Sequence, residues 1–272
     1  MPPSHPSLNV LVVGESWVKH TVHMKGFDQF HSTEYEEGGG VFLAALADAG
    51  HAVTYVRAHE ITTRFPTDAE DLGRYDVVVI SDVGANSFLL TDDVFLRSEP
   101  SVNRLRLLVD YVSGGGGLLM IGGYLSFAGI DGRARYGASP LADVLPVRML
   151  DHDDRVEIPE GASPCVVASD HGAIAGTHGE WPILLGYNRL VAKGDASVIV
   201  QVGEDPLITV GEFGLGRSVA FASDCAPHWA PPAFVSWSQY PQLWASIVRW
   251  AAGGRGAAAG TEGAAGEPAA AR

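Results

Sequence analysis

Short, nearly uninterrupted apolar runs recur along the chain at positions 9–13, 52–56, 76–80 and 118–121. None alternates strictly between apolar and polar side chains, as a half-solvated strand would. Runs of this kind fit strands covered on both faces, the situation of a parallel sheet. Between them the period changes. Phe42, Ala45, Leu46 and Ala49 share one helical face ahead of Gly50, and Leu105, Leu108, Val109 and Val112 recur at i, i+3, i+4, i+7 in a helix ending near Ser113. Strands alternating with helices predict an α/β protein with a mostly parallel central sheet. Beyond residue 196 the spacing tightens to short strands at 197–202, 207–210 and 218–221, and Glu204-Asp205-Pro206 predicts a hairpin turn. That end should be a short antiparallel extension. Tyr240, Leu243, Trp244, Ile247, Val248 and Ala251 mark one face of a closing helix.

In open sheets of this type the ligand lies outside the carboxyl ends of the strands. Those ends therefore hold the candidates. The first run delivers Glu15, the third delivers Asp82, Gly84 and Asn86, and the fourth leads straight into Gly122, Gly123 and Tyr124. A strand running into a glycine-lined turn is where such folds expose a nucleophile, yet the position holds Tyr124. With an ordinary pKa near 10 a phenol is a poor base at neutral pH, which leaves it the role of acid or hydrogen-bond donor. Gly84 is a candidate oxyanion donor. The strand at 218–221 delivers Asp224 and His228, which could form an oriented base or two ligands of a metal. Trp17, Trp229 and Trp237 could offer stacking faces. Cys225 has no cation or long helix N-terminus nearby in the sequence and reads as an inert thiol.

Two segments show no period. Residues 19–37 carry His20, His23, His31, Glu34, Glu36 and Glu37, and are expected to form an irregular surface excursion or a lid. The acidic run Asp151, His152, Asp153, Asp154 is expected to be a solvated loop, because successive side chains do not converge.

Composition narrows the function classes. The 272 residues, 46% hydrophobic and 18% charged, can build one large α/β domain over residues 1–252, with the Ala/Gly-rich residues 253–272 as a disordered tail. No apolar stretch nears the roughly 20 residues that span a bilayer, and the N-terminus lacks a basic segment followed by an apolar one, so a cytoplasmic location is expected without a membrane partner. A net charge of −14 without a basic cluster argues against nucleic acid. Cys165 and Cys225 are too few for a disulfide framework or a four-cysteine zinc site. Gly38 to Gly40 match neither the phosphate-loop nor the dinucleotide pattern. No cofactor and no resident metal are therefore expected.

The stretches MIGGYLSFAGIDGRARYGASPLADVLPV, DHDDRVEIPEG, SDHGAIAG, WPILLGYNRL and FASDCAPHWAPP together resemble the putative glutamine amidotransferase family of the class I glutamine amidotransferase-like superfamily. The similarity spans about residues 9–252. It implies a flavodoxin-like three-layer sandwich with its site over the strand C-termini. In working members of the superfamily a cysteine occupies the elbow, and a histidine with a glutamate two residues beyond follows a late strand. Here Tyr124 falls within a residue of the cysteine position and Asp224 near the histidine position, while His228 comes a few residues late and no His-x-Glu is present. A thioester mechanism needs a thiolate. The expectation is an amidotransferase-like protein without the nucleophile, its cleft binding a small polar metabolite such as a sugar. Tyr124, Asp224 and His228 would form its reactive core, and Glu15, Asp82, Gly84, Asn86 and Gly123 its ligand contacts. The alternatives are a non-thiol hydrolase using Asp224 and His228, with or without a metal, and a homo-oligomeric scaffold.

Overall fold

A computed structural model describes residues 6–253; the tail expected from 253 onward lies, after its first residue, outside the described residues. The strands in chain order are β1 (Asn9–Gly14), β2 (Ser16–Lys25), β3 (Asp28–Glu37), β4 (Ala52–Val56), β5 (Val77–Ser81), β6 (Gly117–Ile121) and β7 (Val147–Met149). They continue with β8 (Arg155–Ala162), β9 (Cys165–Val166), β10 (Leu184–Asn188), β11 (Leu190–Ala192), β12 (Ser197–Val202), β13 (Asp205–Phe213) and β14 (Gly216–Phe221).

Eight of them form the central sheet in the order β4-β1-β5-β6-β14-β13-β12-β9. The first five run parallel and the last three extend the sheet antiparallel. Taken by sequence, the parallel strands lie in the order 2-1-3-4-5, the flavodoxin-like arrangement. The apolar runs account for its centre: Val10, Leu11, Val12 and Val13 of β1, Val77, Val78, Val79 and Ile80 of β5, and Leu118, Leu119, Met120 and Ile121 of β6 are all buried. Each such side chain contributes about 1.5–3 kcal/mol relative to exposure.

Helices cover this ribbon. The helix Gly40–Asp48 returns the chain from the hairpin to β4 and packs against the closing helix Tyr240–Ala252, Phe42 meeting Trp244 edge-on at 4.9 Å between ring centroids. The helix Arg104–Ser113 links β5 to β6 and packs with the short helices Ala69–Leu72 and Asn86–Leu89. Right-handed crossovers that leave the centre of the sheet in opposite directions set their helices on opposite faces, giving three layers.

The structure corrects one expectation. Residues 19–37 form the expected surface excursion, but a regular one instead of an irregular one. They belong to the hairpin β2–β3, paired without a break from Ser16 opposite Glu37 to Lys25 opposite Asp28. Among the described residues no third strand pairs with the ribbon, and Val18, Val22, Met24, Phe27, Phe30 and Tyr35 stay exposed. With neither face buried, no apolar alternation was needed to specify it. Smaller strand pairs β8–β10 and β7–β11 also stand apart from the main sheet.

Candidate functional site

Above the C-terminal ends of the parallel strands lies a cavity of about 310 Å³, lined by Glu15, Asp82, Tyr124, Asp224 and His228, with Trp17, Lys19 and Glu36 from the base of the hairpin. Larger or comparable clefts of about 520 and 320 Å³ occur elsewhere, but neither collects side chains from several strand ends.

Glu15 and Asp82 enter the cavity from strained backbone. Both have positive φ, 48° and 42°, which non-glycine residues adopt at a cost of about 1–2 kcal/mol each. Gly14, with φ 107°, makes the turn out of β1, and a Cβ there would lie 1.8 Å from the Ser81 carbonyl oxygen. The Glu15 amide then donates to that same carbonyl at 3.1 Å, and the Tyr55 hydroxyl donates to the Glu15 carbonyl. Thus the conformation that lifts a side chain above a strand belongs to Glu15 and Asp82, and Tyr124 does not share it. Asp82 accepts from the Leu125 amide at 2.6 Å and rests on Gly123, where a Cβ would come within 2.7 Å of its carboxylate.

Glu15 is fully enclosed. Its Oε1 accepts a short hydrogen bond from the Ser81 hydroxyl, and the Cys225 thiol lies 3.8 Å away. Burial, with the Asp82 charge adding to it, pushes its pKa up to about 7. Asp224, 4% exposed, accepts from the Ala226 amide at 2.9 Å, and His228 Nδ1 lies 4.0 Å from its Oδ2. Burial and the nearby Glu15 and Asp82 charges push Asp224 well above the usual carboxylate range. Burial likewise raises Asp82 and the Cys225 thiol. Cys225 is therefore a poor thiolate nucleophile in this setting. Lys19 pairs with Glu36, so its charge is already engaged.

Tyr124 forms one wall. Its hydroxyl donates to Glu157 at 3.0 Å, the Arg155 guanidinium lies 4.6 Å over its ring, and burial together with the Glu157 bond raises its pKa. His228 sits edge-on to Tyr124 at 4.3 Å and stacks on Trp229 at 5.7 Å.

Five sequence-predicted residues thus meet in one cavity: Glu15, Asp82, Tyr124, Asp224 and His228. Gly123 underlies them, but its amide donates to Asn188 Oδ1 and so is already engaged. Gly84 packs against Ala134, and Asn86 is an exposed residue at the start of a short helix; neither lines the cavity. Trp229 is buried with its indole nitrogen donating to Glu157, and Trp237 packs on Trp181 away from the cleft, which leaves Trp17 as the stacking face. The acidic run is not simply solvated. Asp154 is 1% exposed and accepts from the Ala128 and Gly129 amides and from Asn188, fixing the loop beyond Tyr124. Sequence reasoning also missed the roles of Ser81 and Glu157, whose partners Glu15 and Tyr124 lie on distant elements, and of Lys19, Glu36 and Arg155, whose pairings are local.

Fold and site together define a flavodoxin-like α/β protein with an acidic cleft at the strand ends. The chain belongs to the GATase1-like family, described as putative glutamine amidotransferase, whose profile matches residues 9–253. Cytoplasmic Protein STM3548 from Salmonella typhimurium is 45% identical with a TM-score of 0.88, over 90% of this chain and 99% of that one. Cytoplasmic Protein STM1381 from Salmonella typhimurium LT2 is 46% identical with a TM-score of 0.87 over the same shares. A ThuA-like protein from Parabacteroides merdae shares the fold at 12% identity, with a TM-score of 0.56 over 91% of each chain. No curated protein matches the chain. The turn after β6 contains no cysteine; Cys165 lies in β9 and Cys225 follows β14. No helix among the described residues is long and apolar enough to cross a membrane.

Proposed function

We propose that this chain is a cytoplasmic, amidotransferase-like protein that binds a small polar metabolite, a sugar among the candidates, in the cleft above β1, β5, β6 and β14. One observation carries the reading: Glu15, Asp82 and Asp224 converge there, and each is pushed upward by burial. A carboxyl group that keeps its proton up to about pH 7, as Glu15 does, can both donate and accept hydrogen bonds, which suits a hydroxyl-rich ligand. Trp17 adds an aromatic face at the rim. Glutamine hydrolysis through a thioester is disfavoured, because the elbow position holds Tyr124 and the nearby thiol of Cys225 is buried and held protonated.

Thermal melting in chelator-treated buffer tests this reading. A monosaccharide and polyol panel at millimolar concentration should include a ligand that raises Tm in the wild type and has no effect on Glu15→Gln, since ligand at about 100 times its Kd adds about 2.7 kcal/mol. A flat response across the panel contradicts it. A hydrolase reading has one observation in its favour, the Glu15 pKa of about 7, which suits a general acid or base. It requires turnover that disappears in Glu15→Gln.

A further inference from the structure

Beneath the cleft, Glu15 meets the neighbouring pair Asp224 and Cys225 from the far end of the chain; Glu15 and Asp224 line the cavity, and Cys225 is buried behind them. Glu15 and Cys225 are separated by 210 residues, yet Cys225 Sγ is 3.8 Å from Glu15 Oε1. One carboxylate oxygen of Asp224 completes a set in which the three donor atoms lie within 4.8 Å of one another, and all three residues are buried. A tetrahedral metal with bonds of about 2.3 Å to sulfur and about 2.1 Å to oxygen holds those two donors about 3.6 Å apart. The observed spacing between sulfur and oxygen is close to that separation.

The set is also short of partners. Asp224, 4% exposed and facing the cavity, has no side-chain donor within hydrogen-bond distance of Oδ2 among the described residues, and His228 Nδ1 stands 4.0 Å off. Among the described residues, Glu15, 1% exposed, receives its hydrogen bonds at Oε1. Asp82 adds a third carboxylate to the same wall. Lys19, the lysine at the rim, is paired with Glu36. Acidic oxygens directed into a cavity without a cationic side chain of their own either hold a proton or are matched by a cation from outside, and a metal ion displaces such protons when it binds.

We infer that Glu15, Asp224 and Cys225 form a binding site for a first-row divalent metal ion of the zinc type, with the cavity supplying an open coordination position. A sulfur donor beside two carboxylates favours zinc or cobalt over calcium or magnesium, which take oxygen-only shells. His228 stands within reach as a positioning partner of Asp224. Binding exchanges protons for the metal, the thiol proton of Cys225 among them. This inference uses the cavity of the function proposed above, but it does not depend on any metabolite binding there.

Cobalt reports the site directly, because a thiolate bound to Co²⁺ absorbs in the near ultraviolet. The full chain, stripped with chelator and titrated with Co²⁺ in the absence of metabolites, should develop this band to one equivalent and lose it on adding Zn²⁺. Cys225→Ser should abolish the band, whereas Cys165→Ser, at an exposed position on β9, should keep it. Asp224→Asn, whose fold is checked by circular dichroism, should weaken binding at least tenfold. The inference is overturned if the folded wild type gives no band, or if the band persists in Cys225→Ser. Metabolite binding is measured in chelator, so either proposal can fail without the other.

Discussion

Two groups of acids lie near Tyr124, one in the acidic loop and one in the cleft, and they are treated in opposite ways. In the acidic loop, Asp153 is paired with Arg155 and accepts the Asp131 amide, while Asp154 accepts two backbone amides and the Asn188 side chain. Every strong acceptor there is served by the protein itself. In the cleft, Asp224 faces only the half-exposed His228 at 4.0 Å, no ion pair reaches Glu15 or Asp82 among the described residues, and Glu15 and Asp82 sit on strained backbone. The first group behaves as a buttress. The second carries unmet valence toward a cavity, which is how a binding site differs from a structural network.

The largest effect should come from removing the buttress. Asp154→Ala leaves two amides and a carboxamide without their acceptor and should cost on the order of 4 kcal/mol in urea unfolding. A loss below about 1 kcal/mol would erase the contrast between the two groups.

A pH effect comes next. The folded chain keeps the Glu15 proton up to about pH 7, against about 4.5 for a free glutamate. Between those values the folded state binds the extra proton, so metal-free stability should fall as pH rises through that window, by about 3 kcal/mol, and level off above it. Asp224 and Asp82 act with the same sign. Glu15→Gln should flatten this slope, and denaturation curves across the window check it.

Tyr124→Phe should cost about 1 kcal/mol, the worth of its bond to Glu157, measured by thermal melting. At the exposed tip of the hairpin, Phe27→Ser should change stability by no more than about 0.5 kcal/mol.

The sheet was legible because burial on both faces writes itself as apolar runs, and the strand ends then named Glu15, Asp82, Tyr124, Asp224 and His228. What remained hidden had no periodic signature. The hairpin β2–β3 is exposed on both faces, so His23 and Phe30 stack at 4.4 Å across it without leaving a pattern in either strand. Asp154 looked like one acid in a solvated run because its three donors come from residues 128, 129 and 188. Gly84 and Asn86 shared a strand end with Asp82, yet the chain turns away after one residue. Proximity in sequence to a strand end does not fix direction.

The central claim is that the cleft acids have no lysine or arginine partner among the described residues, and the protonation state of Glu15 tests it most directly. A ¹³C carboxyl NMR titration of the metal-free chain, assigned through Glu15→Gln, should show that resonance titrating near pH 7. A midpoint near 4.5 would mean that Glu15 is solvated or paired, and would contradict the account.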